Sequence, residues 1–240
     1  MCKFWHKSDV KITMNEWIDK ILSIVSPHIC KGCGASGALL CDRCVFNVLD
    51  KGFIWCVKCG RITQDNNLCS DCRKNSGFQQ IFAVGWRRDG LSRLVGDYKY
   101  NSERSAAKVI ARLLNERLPT LPSYTVIVPI PTIAPHVRQR GFDHMKLAAK
   151  ELTRLRGLKN TPQLLWRQTN AVQHELSGQA RIMAAEKTFT INPRLKMPTN
   201  ILLLDDIWTS GATMIAAAKL LKKSGAKNII GAVVAVQPKK

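Results

Sequence analysis

Residues 201–213 read Ile-Leu-Leu-Leu-Asp-Asp-Ile-Trp-Thr-Ser-Gly-Ala-Thr, and this stretch decides the fold. Its four leading apolar residues, 201–204, show no polar alternation, which predicts a strand buried on both faces. Asp205 and Asp206 emerge at the carboxyl end of that strand. The small-residue turn that follows predicts the start of a helix.

This arrangement suits a ribose phosphate. Successive N–H groups and hydroxyls at a helix start can surround a 5′-phosphate, and the helix dipole favours its charge. The two acids can hold the ribose 2′- and 3′-hydroxyls and reach Mg²⁺ through those hydroxyls or through water. A nucleotide P-loop is excluded because no Gly-Lys-Thr/Ser ending is present. The candidate binding residues are Asp205, Asp206, Thr209, Ser210, Gly211, Ala212 and Thr213.

The rest of the chain surrounds this stretch with alternating strand and helix patterns. Strands are predicted at 81–87, 125–128 and 228–236, and helices at 103–118, 142–154 and 212–223, with a less regular stretch over 161–193. Strands without alternation, separated by helices, predict an α/β fold with a mainly parallel sheet covered on both faces by helices. Ahead of it, apolar spacing at 14–25 predicts a short amphipathic helix that ends at Pro27.

Eight of the nine cysteines form pairs with two intervening residues. The pairs are Cys30/Cys33, Cys41/Cys44, Cys56/Cys59 and Cys69/Cys72. Thiolates at this spacing converge on a tetrahedral ion, so eight of them predict two closed, structural Zn²⁺ sites without catalytic work. Sequential pairing is favoured because its loops are short, with interleaved pairing as the alternative. Redox-active dithiols are the other reading, and Cys2 is interpreted as a free thiol.

The balance of charge indicates an anionic partner. The 240 residues carry a formal charge of +20, and residues 81–240 hold 26 of the 37 Lys and Arg but only 10 of the 17 Asp and Glu. A field of this size attracts nucleic acid, anionic lipid or nucleotide phosphates. The sequence contains no apolar run long enough for a membrane span and no signal-peptide pattern at its start. Paired cysteines then indicate a reducing compartment, and we expect a cytoplasmic protein.

Residues 201–213 resemble the phosphoribosyl pyrophosphate signature of type I phosphoribosyltransferases. A second segment, Val-Pro-Ile-Pro at 128–131, leads into the basic stretch Arg-Gln-Arg-Gly-Phe-Asp-His at 138–144. That stretch is predicted to place Arg138 and Arg140 over the pyrophosphate, since guanidinium groups match phosphate oxygens. Arg138 and Arg140 are therefore the candidate catalytic residues.

Together with Asp-Tyr-Lys-Tyr at 97–100 and the cysteine pairs, these segments resemble the ComF family of competence proteins and their GntX-like relatives. The family usually has Arg-Gly-Phe-Asn-Gln where this chain has Arg-Gly-Phe-Asp-His, 140–144. A further family stretch is matched by Gln173, Leu176, Ser177 and Arg181, without the Asn that usually follows. The resemblance implies a Cys₄ zinc module joined to a phosphoribosyltransferase-like domain, with other DNA-uptake proteins as further partners.

Three segments are expected: an amino-terminal segment at 1–29, a double zinc-ribbon-like module at 30–78 and a phosphoribosyltransferase-like domain at 79–240. The resemblance implies a protein of natural transformation that binds phosphoribosyl pyrophosphate with Mg²⁺ and single-stranded DNA. Aromatic residues for stacking on DNA bases are sought among Trp86, Tyr98, Tyr100 and Trp208. The alternative is a phosphoribosyltransferase enzyme acting on a base or amine, and composition does not separate the two.

Overall fold

The computed structural model describes residues 28–50, 52–63, 67–100, 103–168 and 188–238. Outside these residues lie the helix expected at 14–25, the thiol of Cys2 and the family stretch at 173–181. Among the described residues, no helix combines the length and apolar character that a bilayer crossing requires.

Helices and strands alternate along most of the described chain. The helices are α1 (Asp42–Asp50), α2 (Ser70–Lys74), α3 (Asp89–Tyr100), α4 (Ala106–Arg117), α5 (Ala134–Arg140), α6 (His144–Arg156) and α7 (Ala212–Lys223). The strands are β1 (Gln80–Trp86), β2 (Val126–Pro129), β3 (Lys159–Asn160), β4 (Leu165–Arg167), β5 (Phe189–Ile191), β6 (Asn200–Trp208) and β7 (Asn228–Val236).

Five strands form one parallel sheet in the order β1-β7-β6-β2-β3, which confirms the predicted fold class. The apolar run in β6 feeds both faces of this sheet, because neighbouring side chains on a strand point to opposite sides. Leu202 and Leu204 belong to one buried cluster, and Ile201 and Leu203 belong to the other. Parallel strands share a direction, so the carboxyl ends of β1, β7, β6 and β2 lie at one edge. A separate antiparallel pair, β4-β5, forms a second small sheet.

Three elements differ from the sequence-based expectations. Strand β6 continues past residue 204 to Trp208, because β7 supplies pairing partners for it as far as Val236. Helix α3 was not predicted, since Gly90 and Gly96 weaken its helical pattern. The basic stretch before Gly141 begins within a helix, α5, with Pro135 in its first turn and Gly141 at φ 75° ending it.

The two cysteine-rich segments, 28–50 and 52–76, repeat one local structure. Each has a small antiparallel bridge around its first cysteine pair, Ile29 with Ser36 and Trp55 with Ile62. Corresponding hydrogen bonds of 2.7 Å run from the N–H of Cys30 to Ala35 and from that of Cys56 to Arg61. A helix follows the third cysteine in both segments, α1 in the first and α2 in the second.

These two segments pack on opposite faces of the sheet beside β1. Leu39 and Val45 of the first segment join the cluster that contains Val84, whereas Phe53 and Leu68 of the second join the cluster that contains Ile81. The cysteine segments therefore share the sheet's hydrophobic core.

Asn67 of the second segment occupies the outer edge of β1. Its backbone N–H donates to the carbonyl of Ile81 at 2.8 Å, and its side-chain oxygen accepts from the N–H of Ala83 at 2.7 Å. Its amide group donates to the carbonyl of Phe53. One residue thereby satisfies two backbone groups that an edge strand would otherwise leave open.

Candidate functional site

The turn between β6 and α7 is shaped by a glycine resting on a tryptophan. Gly211 has φ 77° and is the N-cap of α7. A Cβ at this position would lie 2.0 Å from Cζ2 of Trp208, so no other residue fits without displacing the indole. Trp208 is 1% exposed. The candidate residues Thr209, Ser210 and Ala212 are exposed around this turn and Thr213 is half-buried, so their N–H and hydroxyl groups are presented at the carboxyl edge of the sheet.

Asp206 lies inside the protein, paired with two basic side chains. One carboxylate oxygen, Oδ2, accepts from Nζ of Lys99 at 2.8 Å and contacts Nε2 of His144 at 2.5 Å. Burial opposes ionisation, but His144 and Lys99 together lower the pKa of Asp206 to about 2. Although Asp206 lies at a strand end, it is shielded from solvent, because α3 and α6 bring their basic side chains over it.

The tautomer of His144 follows from its neighbours. The guanidinium of Arg140, which can only donate, lies 3.1 Å from Nδ1 of His144, so Nδ1 accepts. Nε2 must then carry the proton that it donates to Asp206. The hydroxyl of Thr132 lies 3.2 Å from the same Nδ1, and the Tyr98 hydroxyl donates to the His144 carbonyl. A neutral, fixed imidazole thus transmits the position of Arg140 to Asp206.

The pKa of Asp205 shifts in the opposite direction to that of Asp206. Its side chain is half-buried, and its Oδ1 accepts from the N–H of Asp206 at 2.9 Å. Burial and the adjacent charge of Asp206 raise the pKa of Asp205 to about 7, with Lys99 and Arg167 opposing that rise. Asp205 therefore has an unsatisfied need for positive charge or for hydrogen-bond donors, which a bound ligand can meet.

The two candidate catalytic arginines do not act as a pair. Because residues two apart on a helix face different directions, α5 places Arg138 and Arg140 on different sides. Arg140 is 8% exposed and lies against His144 and over the ring of Tyr100 at 5.7 Å. Arg138 is exposed and lines a cavity of about 470 Å³ together with Thr132, Arg167 and the exposed Trp166.

The structure groups the eight paired cysteines sequentially. Cys30, Cys33, Cys41 and Cys44 form one cluster, and Cys56, Cys59, Cys69 and Cys72 form the other, with ligand atoms in each within 4.8 Å of one another. The Sγ atoms of Cys33 and Cys41 lie 3.7 Å apart, and those of Cys59 and Cys69 lie 3.6 Å apart. Four sulfurs at about 2.3 Å from a tetrahedral Zn²⁺ are separated by about 3.8 Å, so both clusters fit this ion.

A backbone donor and a closely packed glycine contribute to the first cluster. The N–H of Cys41 donates to Sγ of Cys30 at 3.3 Å, and although burial opposes it, this and neighbouring N–H groups lower the pKa of Cys30 to about 6. Burial and the other thiols raise the pKa of Cys44 to about 12. A Cβ on Gly32 would lie 2.5 Å from Sγ of Cys44, so a glycine is required there. Four thiolates this close together repel one another, so a cation bound between them would allow all four to ionise.

Of the four stacking candidates, Tyr100 is the most exposed, at 70%. Tyr98 and Trp208 are core residues, and Trp86 is half-buried. The sequence did not single out Lys99 or His144 as site residues. Lys99 lies within the Asp-Tyr-Lys-Tyr segment and His144 at the departure from the family pattern, and the two meet at Asp206 only because distant parts of the chain pack together.

Comparison with known proteins supplies the class. The family described as "Phosphoribosyl transferase domain" matches residues 169–240, which include β6, the turn and α7. "DNA utilization protein YhgH" of Salmonella typhi is 28% identical over 85% of this chain and 94% of its own. "Competence protein ComFC" of Streptococcus pneumoniae is 27% identical, covering 79% of this chain and 84% of that protein. "Competence protein F" of Haemophilus influenzae is 27% identical, with coverage of 79% and 87%.

The parallel sheet, the acid pair and the glycine-shaped turn, together with the domain match, define a phosphoribosyltransferase-like protein. Relatives that match over most of its length, at 27–28% identity, support the assignment to the ComF family that the sequence motifs predict.

Proposed function

We propose that this protein binds phosphoribosyl pyrophosphate, with Mg²⁺, at the turn after β6, binds single-stranded DNA, and acts in the cytoplasm in DNA uptake during natural transformation. The names of its relatives support the process, since two are competence proteins and others are DNA utilization proteins. The observation that supports ligand binding is the acid pair beside the Gly211 turn. The carboxylate of Asp206 is held by Lys99 and His144, whereas burial and the charge of Asp206 disfavour the ionised form of Asp205 until a cation or hydrogen-bond donor binds it.

The acid pair divides its work between the two residues. Asp206 is saturated by Lys99 and His144, so it serves as the internal anchor that orients the end of β6. Asp205 is the group that accepts from ribose hydroxyls, with Mg²⁺ held through those hydroxyls or water. A cation or two hydroxyl donors would relieve the cost of its burial. Thr209, Ser210, Gly211, Ala212 and Thr213 hold the 5′-phosphate with their N–H and hydroxyl groups.

Arg138, with Arg167 beside it, is the better placed of the two candidate arginines for the pyrophosphate. Both line the cavity that also contains Pro131 of the Pro-Ile-Pro segment. Arg140 acts through His144 instead and keeps Asp206 in place. We assign Arg138 to ligand contact and Arg140 to positioning.

We propose two structural Zn²⁺ ions, one in each cysteine cluster. All eight paired cysteines are used, and the measured sulfur separations match a tetrahedral site. Such closed sites supply folding free energy, which short segments with few apolar residues need. The ions act by fixing the two segments against β1.

The test measures binding of phosphoribosyl pyrophosphate with Mg²⁺ by calorimetry. Asp205→Asn replaces an accepting oxygen by an NH₂ group, so affinity should fall by about ten- to a hundredfold, the equivalent of roughly 1.5–3 kcal/mol. Asp71→Asn, the same change at an exposed acid that pairs with Arg61, is the matched control and should bind as the parent does. Equal affinity of Asp205→Asn and the parent contradicts the assigned site.

The role in transformation needs a separate measurement in cells. A strain carrying Asp205→Asn should transform poorly while the purified variant keeps its zinc. Normal transformation by a variant that has lost ligand binding would separate the site from DNA uptake.

A phosphoribosyltransferase reaction is the second candidate function. The cavity beside the Pro-Ile-Pro segment favours it, because Arg138 and Arg167 could stabilise a leaving pyrophosphate while the exposed ring of Trp166 faces the same space. Release of pyrophosphate on addition of a base or amine, abolished by Arg138→Gln, would establish the enzyme. Its absence across a panel of acceptors, with ligand binding intact, would favour the binding protein.

A further inference from the structure

A second cavity, of about 670 Å³, lies between the two cysteine segments at the carboxyl end of β1. Its lining includes two aromatic side chains, Trp55 and Trp86, and two basic side chains, Arg43 and Arg88. Asn47 and Gly85 also line it. The volume falls within the roughly 300–1,000 Å³ of sites for small ligands. This cavity is separate from the turn after β6. Its lining residues lie outside the range matched by the phosphoribosyl transferase family, and the proposed phosphoribosyl pyrophosphate site does not include them.

The aromatic wall of this cavity is preorganised. Trp55 and Trp86 lie 5.6 Å apart between ring centroids, and Phe53 fixes Trp86 from a 4.8 Å edge contact. Both indoles are half-buried, so part of each ring is held by the protein and part is open. Rigid aromatic rings at an open cavity are the surfaces on which nucleobases stack, and stacking accepts any base.

A cation stands at the rim of the same cavity. Arg88 is exposed, and its guanidinium lies 6.0 Å from the ring of Trp86. The lining also includes Cys33 and Cys44 of the first cysteine cluster, with Arg43 hydrogen-bonded to Cys33. A polyanion would therefore keep its phosphates at Arg88, away from the thiolates, and place a base inward. Asp89, also at the rim, adopts φ 46°, an uncommon backbone conformation that turns the chain from β1 into α3.

Gly85 contributes no side chain to the cavity, although neither its backbone conformation nor its packing requires a glycine. A Cβ there would meet Leu91 at 3.4 Å and Val48 at 4.0 Å, both ordinary contacts with residues that line the cavity. Glycine within a strand weakens it, and a glycine that packing does not require indicates close approach by something else. A larger side chain at this position would grow into the cavity.

We propose that this space, the tryptophan cavity, binds a base of single-stranded DNA against Trp55 and Trp86, with the adjoining phosphates on Arg88. The proposal rests on the proposed function, in which the protein binds single-stranded DNA, and it names the site. Residue Trp86 is level with Val236 of β7, which is level with Trp208 of β6. The DNA site and the phosphoribosyl pyrophosphate turn therefore share one edge of the sheet, two strand spacings or about 10 Å apart at the backbone.

The experiment is anisotropy of a fluorescein-labelled oligo(dT) with the zinc-loaded full chain at low, fixed salt. Gly85→Val narrows the cavity without changing charge and should weaken binding by about tenfold, which corresponds to the loss of one stacked base. Arg88→Gln, at an exposed side chain, should weaken it severalfold and reduce the salt dependence. Gly96→Ala, at a helix position with nothing within 4 Å of the added Cβ, is the matched control and should bind as the parent.

Three other outcomes overturn the inference. If the parent binds oligo(dT) and both Gly85→Val and Arg88→Gln bind equally well, DNA lies elsewhere and the proposed function still stands. If the parent shows no binding at low salt, the DNA-binding part of the proposed function fails with it. If oligo(rU) binds the cavity more tightly than oligo(dT), the partner is RNA. Binding of phosphoribosyl pyrophosphate by every variant checks that the fold is intact.

Discussion

Replacing Asp206 by Asn should destabilise the fold even without ligand, because Asp206 is a buried partner of Lys99 and His144. The pKa of Asp206 falls from 3.8 to about 2 on folding, which corresponds to about 2 to 3 kcal/mol of stability at neutral pH. Removing the charge also leaves the largely buried Lys99 without its carboxylate, and that loss is usually about 3–5 kcal/mol when complete. Relief of repulsion with Asp205 offsets part of it. We expect a net loss of about 2 to 3 kcal/mol.

The sign of the pH dependence gives a second check. A depressed carboxylate pKa adds stability above its unfolded value near 4, and this contribution is lost as the pH falls through 2, with about half gone by pH 3. The difference between parent and Asp206→Asn in urea denaturation should therefore be largest at pH 7 and shrink below pH 4. At pH 7 the melting temperature should drop by roughly 4–12 °C.

Asp205→Asn is the matched control. It makes the same substitution one residue away, and the expected change in stability has the opposite sign. Burial and the charge of Asp206 raise the pKa of Asp205 to about 7, so its ionised form destabilises the fold as the pH rises from about 4 through 7. Asparagine at 205 should therefore stabilise the protein at pH 8, on the order of 1 kcal/mol. Unfolding of Asp206→Asn at the same urea concentration as the parent at pH 7, or a shift of both variants in the same direction, would contradict a stabilising role for the Asp206 charge.

Three further outcomes are expected. The purified protein should contain two Zn²⁺ per chain by mass spectrometry, and one ion per chain would rule out two equivalent sites. Asn67→Ala should lower the free energy of unfolding by about 2 kcal/mol or more, because it leaves the N–H of Ala83 and the carbonyl of Phe53 without their side-chain partner. An unchanged denaturation midpoint would show that water replaces the Asn67 side chain. Tyr100→Ala should lower the free energy of unfolding by only about 0.5–1 kcal/mol, since the ring is exposed and its contact is with the guanidinium of Arg140. It should weaken oligo(dT) binding if the strand runs past α3, and equal affinity would exclude Tyr100 from the path.

Much of the fold could be predicted from local pattern. The apolar runs give β6 and β7 directly, and the turn at Gly211 marks the start of α7, because both signals lie within a few residues. Helix α3 was missed for the same reason, since its two glycines lower the helical signal and only packing of Leu91, Leu94 and Tyr98 into the core restores it. Tertiary burial outweighs weak propensity there.

The candidate site was predictable in its outline but not in its interior. The two acids and the turn are contiguous, whereas Lys99, His144 and Asp206 meet only when three elements pack together. The burial of Asp206 could not be predicted from the strand end alone, because it depends on the charge of Lys99 and on the hydrogen bond from His144. The different positions of Arg138 and Arg140 follow from the helical conformation of this stretch. That helix was not predicted, because it is short and contains a proline in its first turn.

The position of Asn67 along β1 has a consequence for the fate of the metal-free protein. A bare edge of a parallel sheet is a template on which another chain can add a strand. The residue that closes this edge belongs to the segment folded around Cys56, Cys59, Cys69 and Cys72. Withdrawal of the proposed Zn²⁺ from that cluster would release the contacts of Asn67 with β1 along with the segment. Metal supply would then govern self-association of the chain, and chelation at high protein concentration should produce oligomers before it produces unfolded monomers.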